Sequence, residues 1–240
     1  MATHVPSHVA PQTVLTTLYD FPTLEPLRFL TYPSTHLYLP PRKDLLYRAV
    51  VFEGDASRQG TASTKWRTEV HGSGRKIRPQ KGSGKARLGD KKSPMLRGGG
   101  RAFGPKPRDF STDLPKKMYD IAWRTALSYR YRRGELIVVD SLNIGGKEGG
   151  KMWIKEVFGR LGWGQGHRRS TIISSLQDAE EKVGIFSGLE DAEEEGRALL
   201  VDDVDVKDLL KTGRLVVEKR ALDWMLKMHQ SDLVRRTRRG

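Results

Sequence analysis

The sequence predicts an α/β fold: a single layered domain with about four mostly parallel strands flanked by helices, plus an extended N-terminal arm and a long extended internal basic loop. Three observations carry that prediction. A strongly periodic helix, LPKKMYDIAWRTALSYRYRR, runs into LIVV, a continuous apolar stretch of the kind found in strands buried on both faces of a parallel sheet. Helix and strand patterns then alternate to the C-terminal region, with no internal repeat of fixed period. Finally, nearly all of the formal net charge of +14 lies between Arg58 and Arg108, where 15 Lys and Arg face only two acids, Glu69 and Asp90.

Taken in order, residues 1–41 form the arm, because prolines at 6, 11, 22, 26, 33, 40 and 41 oppose continuous helix. Its aromatic and leucine content predicts that it docks over a surface. The globular domain is expected over 42–234, interrupted by the loop at 58–108 and followed by a basic tail at 235–240. The first helix places Leu45, Leu46, Ala49, Val50 and Glu53 at helical spacing, with Asp44 as N-cap and Gly54 as stop. The second runs from Asp113 as N-cap to Gly134, with Leu114, Met118, Ile121, Ala122, Thr125 and Tyr129 on one face. Arg130, Arg132 and Arg133 complement its negative end.

The strand ELIVVD follows, then a helix over 151–161, the strand STIISS, a helical turn or more from Glu190 to Arg197, and the strand ALLV. A short helix capped by Asp205 and stopped at Gly213 leads to the strand LVVE. The closing helix buries Ala221, Leu222, Met225 and Leu226.

Several function classes are excluded or unsupported. With no cysteine there are no disulfides and no thiol chemistry, and no aliphatic run approaches the roughly 20 residues of a membrane span, which predicts a soluble chain. The glycine-lysine pairs Gly84-Lys85 and Gly146-Lys147 lack the flanking residues of a phosphate loop, and no dinucleotide fingerprint follows a strand. The six histidines form no zinc-protease motif, and no Gly-x-Ser-x-Gly is present. From Leu176 to Asp208, 12 acids face Lys182, Arg197 and Lys207, a solvated face turned away from a polyanion; Asp202, Asp203 and Asp205 lack the glycine and glutamate of a calcium loop. Asp140, at a strand end where α/β enzymes often place a carboxylate, has no identifiable partner. No catalytic residue, metal or cofactor is therefore expected.

The tract 58–108 points to nucleic acid. Arg58, Lys65, Arg67, Arg75, Lys76, Arg78, Lys81, Lys85 and Arg87, then Lys91, Lys92, Arg97, Arg101, Lys106 and Arg108, recur every few residues, a spacing suited to neutralising phosphates. Ten glycines permit close backbone approach, and Trp66 and Phe103 offer stacking surfaces. Both ends are anchored in one domain, so the tract must leave and return as a loop, and structureless loops of this length are usually functional. Half of it, fully extended, reaches roughly 80 Å.

The pieces RQGT, the EV-x-GSG-x-K run, QKGSGKAR, KSP and GGG, followed by LPKKMYDIAWRTALS and LIVVD, resemble the large-subunit ribosomal protein L-four family of the universal, bacterial type. The closing DVKDLLKTGRLVVEKRALDWML is similar to that family's last helix, strand and helix. The resemblance implies a structural protein of the large subunit that binds large-subunit ribosomal RNA through the loop and neighbours other ribosomal proteins, with no catalysis of its own. It further implies that a loop tip around Arg78, Gln80, Lys81, Gly82, Gly84, Lys85 and Arg87 helps to line the peptide exit tunnel, close to the nascent peptide. The arm and the region from Lys147 to Gly188 depart from the short bacterial form, and HLYLPPRKDLLYRAVVFEG is most like mitochondrial members. A mitochondrial matrix location is therefore expected ahead of a bacterial cytoplasm. The alternative is an RNA-processing enzyme whose α/β body is catalytic and whose basic loop binds substrate.

Overall fold

The computed structural model describes residues 12–142, 150–175 and 183–233. The expected basic tail at 235–240 and the start of the acidic segment at 176–182 lie outside them. The chain divides into two compact units, one of residues up to Glu53 and from Asp113 onward, the other of Gly54–Thr112.

The first unit is built on one sheet. Its strands are β1 (Thr13–Tyr19), β2 (Pro26–Pro33), β3 (Leu136–Val139), β4 (Ser170–Ser174), β5 (Gly196–Leu200) and β6 (Arg214–Glu218), in the order β2-β1-β3-β6-β4-β5. All neighbours are parallel except the β1–β2 hairpin. Six strands replace the expected four, and the two extra ones come from the supposed docked arm. Val14, Thr16 and Leu18 alternate inward along β1, and Leu18 and Tyr19 pair with Val138 and Val139, so the arm is part of the sheet itself. The prolines that concealed this, Pro26 and Pro33, begin and end β2 at the sheet edge, where a missing N–H costs no ladder bond.

The helices are α1 (Ser34–Leu37), α2 (Lys43–Ala56), α3 (Lys116–Arg132), α4 (Lys151–Leu161), α5 (Val183–Asp191), α6 (Val206–Lys211) and α7 (Lys219–Met228). The central strands direct alternate residues to two cores, as a sheet covered on both faces requires. Val138, Ile173, Leu215 and Val217 join Ala49 of α2, Trp123 and Leu127 of α3, and Leu222 and Met225 of α7. Val139, Ile172 and Val216 join Ile154 and Phe158 of α4 and Ile185 and Leu189 of α5.

Several boundaries differ from expectation. Asp113 is not the cap of α3; Pro115 holds that position, and proline suits a helix start because no partner is needed for its missing N–H. Asp44 lies within the first turn of α2, where it pairs with Arg42 at 2.5 Å. Gly54 does not stop α2, which continues to Ala56, whereas Gly134 ends α3 with φ +67°. Residues Glu190–Arg197 are not a new helix but the end of α5, a turn and the start of β5. The two glycines in VGIFSGLED hide that helix, and the packing of Ile185 and Leu189 on the sheet overrides their low propensity.

The face expected of α3 is too narrow. Asp120, Arg124, Ser128 and Arg130 are buried along with its apolar residues. Arg130 is therefore no surface complement to a dipole: its Nε donates to the Leu209 carbonyl at 2.8 Å, its Nη1 to Glu135 Oε2 at 2.6 Å and to the Gly213 carbonyl at 3.2 Å, and its Nη2 to the Thr212 carbonyl. Arg124 Nη1 donates to the Thr35 carbonyl at 2.6 Å and pairs with Asp232. Glu53 of α2 accepts the Val206 and Lys207 N–H groups at 2.9 Å each, satisfying the first turn of α6. Asp205 is the N-cap of that helix, as its sequence suggests. Burial raises the Glu53 carboxyl above its usual range, with those backbone donors opposing the shift.

Candidate nucleic-acid interface

The second unit, Gly54–Thr112, holds no strand and only the last turn of α2. Its tract is two irregular limbs of chain laced side by side by backbone bonds. Arg108 N–H donates to the Gly60 carbonyl at 3.1 Å, Thr64 to Pro105 at 3.0 Å, Arg101 to Lys65 at 2.9 Å, and Ile77 to Gly89 at 2.9 Å. Glycine makes the close approach. Gly60 has φ +63°, and a Cβ there would lie 1.9 Å from the Arg108 carbonyl oxygen; a Cβ at Gly100 would lie 2.4 Å from Arg67 N. Close approach was expected toward a ligand, and here it also joins one limb to the other.

At the base, the Phe110 ring receives two guanidiniums, with Arg58 Cζ 3.6 Å and Arg108 Cζ 4.2 Å from its centroid. Two of the predicted phosphate contacts thus lie on an aromatic ring, and Arg58 also reaches Asp55 at 3.4 Å. Further along, Trp66 opens a turn: its N–H donates to Glu69 Oε2 at 2.8 Å, and the Glu69 and Val70 N–H groups return to its carbonyl. Lys106 pairs with Glu69 and lies 4.9 Å from the Trp66 ring, so the half-exposed indole keeps an open face under a cation. The Lys106 ammonium and then the Trp66 N–H hold the Glu69 carboxyl below its usual range. Asp90 is buried, and Arg67 Nε and Nη2 both donate to its Oδ2, at 3.0 and 2.9 Å.

The two acids of the tract thus fasten its limbs together, and they do so outside the segment from Arg75 to Arg87. Among the described residues no carboxylate pairs with Arg75, Lys76, Arg78, Lys81, Lys85 or Arg87. Lys76 donates instead to Gln80 Oε1. Ser73, Arg75, Lys76, Ile77, Arg78, Pro79 and Lys91 line a groove of about 610 Å³, four cations around one depression. Gly82 and Gly84 turn the chain with φ +85° and +64°. Lys65, Arg97 and Arg101 are exposed, Lys92 is half-buried, and none of the four is ion-paired among the described residues.

Phe103 is fully exposed and has φ +48°, a region costly for a bulky side chain, so the chain holds this ring in solvent at the expense of backbone strain. The sequence signal missed Phe110, Glu69 and Asp90. The two acids stood out as the only anions in the tract, and that isolation was the available clue. In the first unit, Asp140 is exposed at the end of β3, its N–H donating to the Tyr19 carbonyl at 3.0 Å. Among the described residues no helix is long and apolar enough to cross a membrane.

Residues 33–228 match the model of the ribosomal protein L4/L1 family. The chain is 52% identical over 239 residues to the large ribosomal subunit protein uL4m of Neurospora crassa, covering 92% of this chain and 72% of that relative. It is 37% identical over 185 residues to the uL4 protein of Nitrobacter winogradskyi, covering 77% and 85%. With the uL4 protein of Dehalococcoides mccartyi it shares 54% identity over 105 residues, 44% of this chain and 50% of that one.

Proposed function

The chain belongs to the ribosomal protein L4/L1 family, and from that premise we propose that it is a structural constituent of the large ribosomal subunit whose loop 58–108 binds large-subunit ribosomal RNA. The observation that carries this reading is the segment Arg75–Arg87, six cations without a carboxylate partner among the described residues, at the far end of a loop whose own acids are spent joining its limbs. A polyanion that follows the groove beside Ile77 meets phosphate-neutralising groups at every few residues, while glycines leave room for close packing.

The turn around Gln80, Gly82 and Gly84 lines the peptide exit tunnel in this reading, within reach of the nascent peptide, and other large-subunit proteins flank the body. The mitochondrial ribosome is the favoured setting, supported by the identity shared with the Neurospora protein along nearly the whole chain. Replacing Arg75, Lys76, Arg78, Lys81, Lys85 and Arg87 together by neutral residues should keep the protein out of large subunits while its body still folds. Co-sedimentation with large subunits from purified mitochondria measures this, and normal incorporation of that variant would remove the loop from the assignment.

A further inference from the structure

The turn leading from α4 into β4 carries a second cluster of cations on a backbone that is costly to hold. Arg168 and Arg169 both have positive φ, +73° and +55°, a conformation that glycine adopts freely and a Cβ opposes. The surroundings fix it there. Gly213 N–H lies 2.8 Å from the Arg168 carbonyl and 3.0 Å from that of Arg169, and Arg169 N–H donates to the Gly164 carbonyl at 3.1 Å. A Cβ on Gly213 would stand 2.7 Å from that of Arg168, so the fit is close. Two arginines thus occupy positions where glycines would be easier, and the result is a pair of exposed guanidiniums rooted in a rigid turn.

Their charges are not absorbed locally. Among the described residues neither arginine, nor Lys211, has an ion-pair partner. Arg168, Arg169, Arg197 and Lys211 line a cavity of about 350 Å³. Arg197 is taken by Asp208 at 2.6 Å, and Glu193 is the acid on that wall. Arg168 also borders a second cavity of about 380 Å³ with His167 and Arg214, where the acid, Glu135, is already held by Arg130 and Arg133. Glu195 accepts from Gln165 N–H at 3.0 Å. Among the described residues lining these two cavities, the three cations Arg168, Arg169 and Lys211, without an ion-pair partner, thus face one uncommitted carboxylate, Glu193.

We infer that this turn is a second RNA contact, a phosphodiester cradle in the globular body formed by Arg168, Arg169 and Lys211, separate in sequence from the loop. The inference rests on the reading of the chain as a ribosomal RNA-binding protein. Guanidiniums present paired donors that match phosphate oxygens, and a turn fixed by the Gly213 and Gly164 backbone sets where both side chains leave the chain. Arg168 and Arg169 fall in the region 147–188 that departs from the short bacterial form, so they add a contact to those of the loop.

The test uses the full chain and an in vitro transcript of the same organism's large-subunit ribosomal RNA, with affinity measured over a salt series. The double variant R168G/R169G removes both charges and relieves both backbone angles, so its thermal midpoint should stay level or rise. Its log-affinity against log-salt slope should be shallower by about 1.4 to 1.8, while R168K/R169K keeps the wild-type slope. An unchanged affinity and slope in the glycine variant overturns the cradle, including where that variant instead loses an acidic protein neighbour from reconstituted subunits. The loop variant measured in parallel separates the two readings. Loss there with no change in R168G/R169G leaves the loop assignment standing alone, and the reverse leaves only the cradle.

Discussion

Arg58 and Arg108, from opposite ends of the basic tract, share the ring of Phe110, at 3.6 and 4.2 Å from its centroid. Each such contact contributes about 0.5–1 kcal/mol at an exposed site. Phe110→Ala should therefore loosen the base of the loop by about 1–2 kcal/mol, with faster amide exchange at Thr64 and Arg101 and earlier proteolysis within the tract. Phe110→Trp should restore protection. Unaltered exchange in the alanine variant would show that the ring does not close the base.

Gly60→Ala meets two obstacles, a φ of +63° and a Cβ 1.9 Å from the Arg108 carbonyl oxygen. The strain alone amounts to about 1–3 kcal/mol, enough to break the Arg108–Gly60 bond locally. Amide exchange at Arg108 should rise steeply while the body's melting transition stays in place, since neither core includes a residue of the tract.

Neutralising the six cations from Arg75 to Arg87 should flatten the salt dependence of RNA binding. If each meets one phosphate on a single strand, the slope becomes shallower by about 4. A slope that does not move would mean those side chains face something other than phosphate.

In the body, Arg130→Met should be among the most damaging substitutions, because the carbonyls of Leu209, Thr212 and Gly213 and the Glu135 carboxylate lose one common donor. About 3–5 kcal/mol is expected in urea unfolding. Arg130→Lys should recover only a fraction, since a single ammonium cannot span the same acceptors.

His229 gives the fold a pH dependence. Burial lowers its pKa from the ordinary 6.5, with the Asp120 bond at 2.9 Å opposing the shift, and His36 is lowered by burial too. In acid the unfolded chain therefore takes up protons before the folded one, so stability falls as pH drops below about 6.5. The loss at His229 is at most about 1.4 kcal/mol per pH unit until its folded value is passed. Urea midpoints should decline over this range and flatten in His229→Asn, whose amide preserves a donor to Asp120.

What could be read from the sequence follows the range of each interaction. The passage from α3 to β3 and from β6 to α7 was legible because local periodicity and a continuous apolar run dictate it. The inward turn of Arg124 and Arg130 was not, since all their acceptors but Glu135 come from α1, from α6 and the turn after it, and from the chain after α7. The β1–β2 hairpin was hidden by prolines that are harmful only in a central strand. In the tract, charge and glycine content were plain from composition. The rungs joining its limbs were invisible, because backbone pairing between Lys65 and Arg101 leaves no side-chain signature.

With the loop bound in RNA as proposed, those rungs also bear on the order in which a ribosomal subunit can be put together. A segment tethered at both ends has no leading terminus, so it advances only by its tip, as two backbones side by side at hydrogen-bonding distance. Any passage that admits it must have a bore for that double width, or must close after the loop is in place. In the second case the protein serves as a mandrel, and early arrival becomes a requirement of geometry as well as affinity.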